Sequence, residues 1–338
     1  MRGAVLHGPG DVRVEEREDP RIEAPTDAII RLSATCICGS DLWPYRGEAG
    51  DEPAPMGHEY CGIVEEVGPE VRTVRPGQFV VGSFFASDGT CELCRAGYHS
   101  ACVHKVPMGG IGTQAEYARV PLADGTLVAT PEVPDPDLVP SFLAASDVLG
   151  TGWFAAVAAQ AGPGRSVVVV GDGAVGLHGV LAARHLGAER IIVMSRNPAR
   201  QALARTYGAT DVVEERGKEG AAHVRDLTDG LGAHCSIEAV GTREAMLQAI
   251  GATRPGGHVG FVGVTHGDLP GGFLFRSHVH LHGGPAPVRR FLPELMQLIW
   301  DRAIDPGLVF DLTLPLEEAA EGYRAMDERR AIKALLTV

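Results

Sequence analysis

The chain has 338 residues, 45% of them hydrophobic, and a formal net charge of −13. That length and apolar content are enough for two sizeable cores, and the acidic balance argues against a nucleic-acid-binding surface. No run of about 18 apolar residues is present, so no helical membrane span is predicted.

The N-terminal MRGAVLHGPGDVRVEE has no long apolar core after a basic start and does not read as a signal peptide. Roughly the first 130 residues then read as short β segments: AVLHG, DAIIRLSAT, CGIVEEVG and QFVVGSF, separated by Gly/Pro turns. The texture changes at residues 151–162, an Ala-rich helical stretch. Strands and helices then alternate: SVVVVG, a helix from Ala174 to Leu186, IIVMS, a helix over Pro198–Tyr207, DVV, a helical stretch around Ala221–Thr228, CSIEAVG, a helix over Arg243–Ile250, and HVGFVGV. Apolar strands in this alternation predict an α/β, doubly wound parallel sheet. From about Pro285 the tail holds an amphipathic helix, VRRFLPELMQLIWDR, and a last strand, IKALLTV, expected to return to the first part. The predicted division is 1–148, a β-rich domain; 149–284, a dinucleotide-binding domain; and 285–338, the returning segment.

Gly171-Asp172-Gly173-Ala174-Val175-Gly176 is a GxGxxG motif between the strand SVVVV and a helix, the context that gives the motif meaning. Its glycines permit a tight turn and close backbone approach, and the helix N-terminus offers N–H groups to a pyrophosphate. Cofactor-binding residues are therefore expected at Gly171, Gly173, Ala174, Val175 and Gly176. An NAD enzyme places a carboxylate at the end of the second strand, on the ribose hydroxyls. Here that position is Ser195, followed by Arg196, with Arg200 as a helper. A hydroxyl and a guanidinium suit a 2′-phosphate, which predicts NADP(H) as the preferred cofactor, with NAD(H) possible.

The seven cysteines, an odd number, do not read as a disulfide framework. Cys38, in CGSD, follows a strand-like run, and His58 stands in PMGHEYCG; thiolate and imidazole suit zinc. A catalytic zinc needs a third protein ligand and an open position. Asp147, in SDVLGTG at the start of the nucleotide domain, is the candidate. Asp41 is placed to orient a zinc-bound His58.

Taken together, CICGSDLW, GHEYCGIVEEVG, DGTCELCRAGYHSAC, QAEYARVPLAD, SDVLGTG, the GxGxxG unit and RPGGHVGFVGV occur in the order seen in zinc-containing medium-chain alcohol dehydrogenases. The chain resembles that family along nearly its whole length. The resemblance implies a GroES-like catalytic domain, a Rossmann domain, and zinc-assisted hydride transfer between a nicotinamide cofactor and an alcohol or carbonyl compound. It implies Cys38, His58 and Asp147 as catalytic-zinc ligands, with Glu59 nearby and able to exchange with the open position. Ser40 would carry the alcohol proton. Members often have a His three residues after this Ser; Trp43 stands there, expected to line the substrate pocket or to be core.

The family's structural-zinc lobe reads Cys-x2-Cys-x2-Cys-x7-Cys. Laid on it, Cys91, Cys94 and Cys102 fill the last three places and Asp88 the first, with His99 as the alternative fourth ligand. Two zinc ions per chain are expected. Cys36, Cys61 and Cys235 read as small buried hydrophobes, and His278, His280 and His282 as one face of a strand. The expected partners are a small alcohol or carbonyl substrate and further copies of the chain in a dimer or tetramer, with no nucleic acid and no membrane. The expected compartment is the cytoplasm. A zinc polyol or sugar dehydrogenase of the same architecture is the alternative. A zinc-free reductase on this fold would lack Cys38 and His58.

Overall fold

A computed structural model describes residues 1–48, 53–264 and 267–338. The chain divides into two compact units, Met1–Asp147 with Pro287–Val338, and Val148–Ala286.

The first unit is built on a seven-stranded sheet whose centre is the strand Ala28–Cys36. Its Ile- and Ala-rich sequence is buried almost throughout, as a central strand requires. The strand pairs antiparallel with Tyr60–Val67, with irregularities in register at Ile29/Ile30 and Leu32/Ala34. Such bulges bend a strand and increase its twist. On its other side lies Ala334–Thr337, with Leu335 opposite Cys36, so the tail of the chain completes the sheet begun near its start. A smaller sheet holds Arg2–Gly8 between Asp11–Glu16 and Ala54–Pro55. Ala4, Leu6, Ile37, Leu42, Tyr323 and Leu336 belong to one core cluster, joining the smaller sheet to the C-terminal segment. The helix Val288–Trp300 buries Val288, Phe291, Leu292, Leu295, Met296 and Ile299. That is the i, i+3, i+4, i+7 spacing of one apolar face.

The second unit is a six-stranded sheet, parallel throughout, in the spatial order Asp211–Val213, Arg190–Met194, Ser166–Val170, Ala233–Glu238, Thr253–Phe261, His280–Gly283. Val167, Val168 and Val169 are fully buried, which fits a strand covered on both faces. The order runs outward both ways from the first strand, which puts the switch point between Ser166–Val170 and Ala233–Glu238, where such sheets bind ligands. The helix expected around Ala221–Thr228 lies earlier, at Gly217–Asp226, because Thr228 instead turns the chain, its hydroxyl donating to the Val224 carbonyl at 2.7 Å. His278 does not share a strand with His280 and His282. It caps the helix Gly271–Ser277 at φ 52°, and the strand begins at His280. His280 stacks on His258 of the neighbouring strand, ring centroids 4.5 Å apart. Among the described residues no single helix is long and apolar enough to cross a membrane.

Candidate metal centres and cofactor site

Cys38 follows the central strand and opens a short turn, Gly39–Asp41, where its N–H donates to Asp41 Oδ2 at 3.0 Å. His58 follows Gly57, whose φ is +94° and whose missing Cβ would lie 2.5 Å from the Gln114 side chain. Glycine is needed there on both counts. Asp147 lies just after the helix Val139–Ala145. The turn, the strand entry and the helix end bring together one ligand atom each from Cys38, His58, Glu59 and Asp147, all within 4.8 Å of one another. His58 Nε2 is 3.3 Å from Asp147 Oδ2, and Cys38 Sγ is 3.9 Å from the same oxygen.

The surroundings draw positive charge to this point. Burial opposes a charged His58, but Asp41, Cys38 and Asp147 outweigh it and hold the imidazole's proton affinity well above its usual value. Burial pushes the Cys38 thiol up, and the Glu59 carboxylate adds to that. Burial also raises Glu59, against the pull of Lys333, which sits 2.7 Å from Glu59 Oε1 in an almost fully buried ion pair. Lys333 Nζ donates as well to the Ile37 carbonyl at 3.1 Å. Glu59 Oε2 is buried with no hydrogen-bond partner among the described residues. An orphaned carboxylate oxygen beside thiol, imidazole and a second carboxyl fits a zinc ion, whose preferred donors these are.

Behind the group runs a chain of buried polar contacts. His58 Nδ1 is 3.2 Å from Asp41 Oδ1. Gln114 Nε2 donates to Asp41 Oδ2 at 3.1 Å and to the Cys36 carbonyl at 3.1 Å. The Tyr323 hydroxyl donates to Gln114 Oε1 at 2.9 Å. Sequence reasoning reached Asp41 and missed Gln114, which opens the QAEYARVPLAD motif, and Tyr323 and Lys333, which lie in the C-terminal segment. Ser40 is half-buried on the Cys38 turn, and Trp43 is half-buried in the short helix Leu42–Tyr45.

Asp88, Cys91, Cys94 and Cys102 form a second group within 4.8 Å. Asp88 Oδ1 accepts from Cys91 N at 2.9 Å and Thr90 N at 2.7 Å, and Oδ2 meets His104 Nδ1 at 2.7 Å. These contacts outweigh burial and hold the Asp88 carboxyl well below its ordinary range. Backbone N–H groups also aim at sulfur: Cys94 N at Cys91, and Asp88 N and His104 N at Cys102, all at 3.4–3.5 Å. The N–H groups of Cys94 and Val103 hold the Cys91 thiol below its usual value, toward the metal-binding thiolate, whereas burial pushes the Cys94 thiol up. All the cysteines are free thiols, and Cys36, Cys61 and Cys235 are fully buried. His99 lies outside the group; burial and then the Arg289 guanidinium depress its proton affinity.

In the second unit, Gly171 ends the strand Ser166–Val170 at φ +120°, and a Cβ on Gly176 would lie 2.0 Å from the Gly171 carbonyl oxygen. Gly173 is the N-cap of the helix Ala174–His185, with no side-chain cap and open space where a Cβ would stand. Ala174 and Val175 form the first turn of that helix. Ser195 is buried and donates to Asp172 Oδ2 at 2.7 Å. Arg200 is also buried and reaches the Asp172 carbonyl at 3.2 Å and its Oδ1 at 3.4 Å, whereas Arg196 is exposed. Arg200, the expected phosphate helper, has its guanidinium on Asp172, a residue that the motif treats as variable.

The chain is similar to known proteins along nearly its whole length. A family model described as alcohol dehydrogenase GroES-like domain matches residues 24–132, and one described as zinc-binding dehydrogenase matches residues 174–298. Zinc-type alcohol dehydrogenase B of Aspergillus flavus is 34% identical, over 99% of this chain and 81% of its own length. The solved structure of an alcohol dehydrogenase from Thermus sp. ATN1 superposes with a TM-score of 0.91 at 34% identity, covering 100% of both chains. A zinc-binding dehydrogenase structure from Sinorhizobium meliloti, solved with NADP bound, gives a TM-score of 0.85 at 25% identity, covering 100% of this chain and 99% of the other.

Proposed function

The chain belongs to the zinc-containing medium-chain alcohol dehydrogenases, and on that premise we propose that it moves a hydride between NADP(H) and a small alcohol, aldehyde or ketone, with NAD(H) as the weaker cofactor. The observation that carries the reading is the convergence of Cys38, His58, Glu59 and Asp147 within 4.8 Å of one another. Cys38, His58 and Asp147 hold the catalytic zinc, and Glu59 stands beside them. Zinc held there supplies Lewis acidity toward an alcohol or carbonyl oxygen. Asp41, at 3.2 Å from His58 Nδ1, fixes the imidazole so that Nε2 faces the ligand group. Ser40, on the same turn as Cys38, accepts the alcohol proton in one direction and returns it in the other.

Asp88, Cys91, Cys94 and Cys102 hold the second zinc. The turn from Gly171 to Gly176, with Ala174 and Val175 at the helix N-terminus, takes the pyrophosphate. The NADP(H) preference rests on the absence of a carboxylate at Ser195 and on the exposed Arg196. Residues 1–148 and 285–338 make the catalytic domain, and 149–284 bind the cofactor. Assembly as a homo-oligomer and a place in the cytoplasm complete the reading, the latter supported by the set of free thiols.

The test is metal analysis combined with nicotinamide absorbance over a panel of alcohols, aldehydes and ketones. Two zinc ions per chain and turnover of at least one substrate class are expected. Cys38→Ala removes one zinc and all turnover while the fold survives. Ser40→Ala keeps both zinc ions and loses about 10²–10⁴-fold in rate. A Cys38→Ala protein with undiminished turnover would discard the assignment.

A further inference from the structure

The end of the strand Arg190–Met194 carries a serine where ribose recognition by NAD enzymes uses an acid, yet an acid is there. Asp172 comes from the glycine-rich turn, and its Oδ2 accepts the Ser195 hydroxyl at 2.7 Å. Its Oδ1 is 3.4 Å from Arg200 Nη1. Asp172 is 7% exposed, Ser195 1% and Arg200 7%, so this is a buried, charged group in contact with the cofactor-binding turn. A buried ion pair contributes little net stability, because desolvation offsets the attraction. Packing alone therefore gives this pair little reason to exist.

We propose that Asp172 and Arg200 form a specificity pair that lets one site read both forms of the cofactor. The inference rests on the reading that the Gly171–Gly176 turn binds a nicotinamide dinucleotide. With NAD(H), Asp172 accepts the ribose 2′-hydroxyl, as a strand-end carboxylate would. With NADP(H), Arg200 turns from Asp172 to the 2′-phosphate, alongside Arg196. In the second case Asp172 itself opposes the 2′-phosphate, since a carboxylate beside a dianion is repulsive, and the released Arg200 offsets that. Ser195 holds Asp172 in position by its hydroxyl, so the serine serves the acid as much as the phosphate.

The consequence is a selectivity ratio that moves in opposite directions when either partner is changed. The experiment uses the zinc-loaded full chain, with dissociation constants for NADP⁺ and NAD⁺ measured by calorimetry without substrate, and kcat/KM for both cofactors. Asp172→Asn keeps the side-chain shape and raises the NADP-to-NAD ratio about tenfold, mostly by weakening NAD(H). Arg200→Met lowers the ratio about tenfold or more, by losing the phosphate partner and leaving the carboxylate bare. If Arg200→Met fails to fold, Asp172→Asn alone decides, because the amide still accepts from Ser195. Unchanged ratios would overturn the pair and leave it a structural clamp. A wild-type protein that favours NAD(H) while Asp172→Asn shifts as expected would discard the NADP(H) preference and keep the pair. A wild-type preference for NADP(H) with no shift in Asp172→Asn would do the reverse.

Discussion

The two metal-ligand groups sit in one unit and are built in opposite ways. The Asp88 group comes from 15 consecutive residues, Asp88 to Cys102, and its ligands are tied to their own loop's backbone N–H groups. The Cys38 group gathers residues separated by up to 109 positions and leans on partners further off, Lys333 and Tyr323 among them. A local loop with few apolar residues has little core of its own, so on the proposed reading a bound metal would be its organising element. The dispersed group is set in a sheet and helix framework that has a core without it. On the proposed reading the first group would be a closed structural site, and the second, framed by sheet and helix, would be the centre with an exchangeable position.

The comparison breaks most simply at Cys94. Structural zinc in small sites contributes roughly 10–16 kcal/mol of apparent binding energy, so Cys94→Ala is expected to give the largest effect. The lobe unfolds and the protein melts early or aggregates, as thermal unfolding followed by circular dichroism will record. Cys38→Ala in the other group is expected to leave the melting temperature nearly unchanged. Equal losses of stability in the two variants would erase the distinction between a holding and a working centre.

A smaller effect is expected at Lys333. It is almost fully buried against Glu59, and removing one member of a buried pair strands the other charge, at about 3–5 kcal/mol. Lys333→Met should lose stability on that scale in urea unfolding of the zinc-loaded protein. Adding Glu59→Gln should restore most of it, because the stranded charge is then gone. Full stability in Lys333→Met alone would mean that the metal compensates Glu59 without help, and the dispersed group would depend on fewer distant residues than its geometry implies.

Much of this was legible beforehand because the chemistry is punctuated by rare residues. Cys38, His58 and the Cys91–Cys94 spacing announce themselves, and GxGxxG between strand and helix locates the cofactor turn. Val-rich strands gave away the parallel sheet. The supporting residues were hidden for a physical reason: Gln114 meets Asp41 across 73 positions of chain, and Tyr323 and Lys333 reach the group only once the C-terminal segment has packed back on the first part. Asp172 was overlooked for a different reason. Its motif fixes glycines by backbone conformation and leaves the intervening positions open, so an acid there carries no signal until its neighbours, Ser195 and Arg200, are seen.

The smallest expected effect tests how far the dispersed group reaches. Tyr323 is fully buried, and its hydroxyl is the last link in the chain through Gln114 and Asp41 to His58. Tyr323→Phe leaves Gln114 Oε1 without this donor in a buried place, which costs about 1–3 kcal/mol. Part of that is lost as global stability and part as looser orientation of Gln114, and through it Asp41. Contacts directly behind a metal ligand change affinity by about 10–100-fold, and Tyr323 is two links further out, so the loss in zinc affinity should fall at or below the lower end of that range. Competition with a chelator, counting the two zinc ions separately, reads this directly. The ion in the Cys38 group should leave more easily and the ion in the Asp88 group should not, since Tyr323 bonds Gln114 and stacks on Tyr45, neither of them in that loop. Equal loosening of both ions would mark the effect as general destabilisation and cut the chain at Gln114.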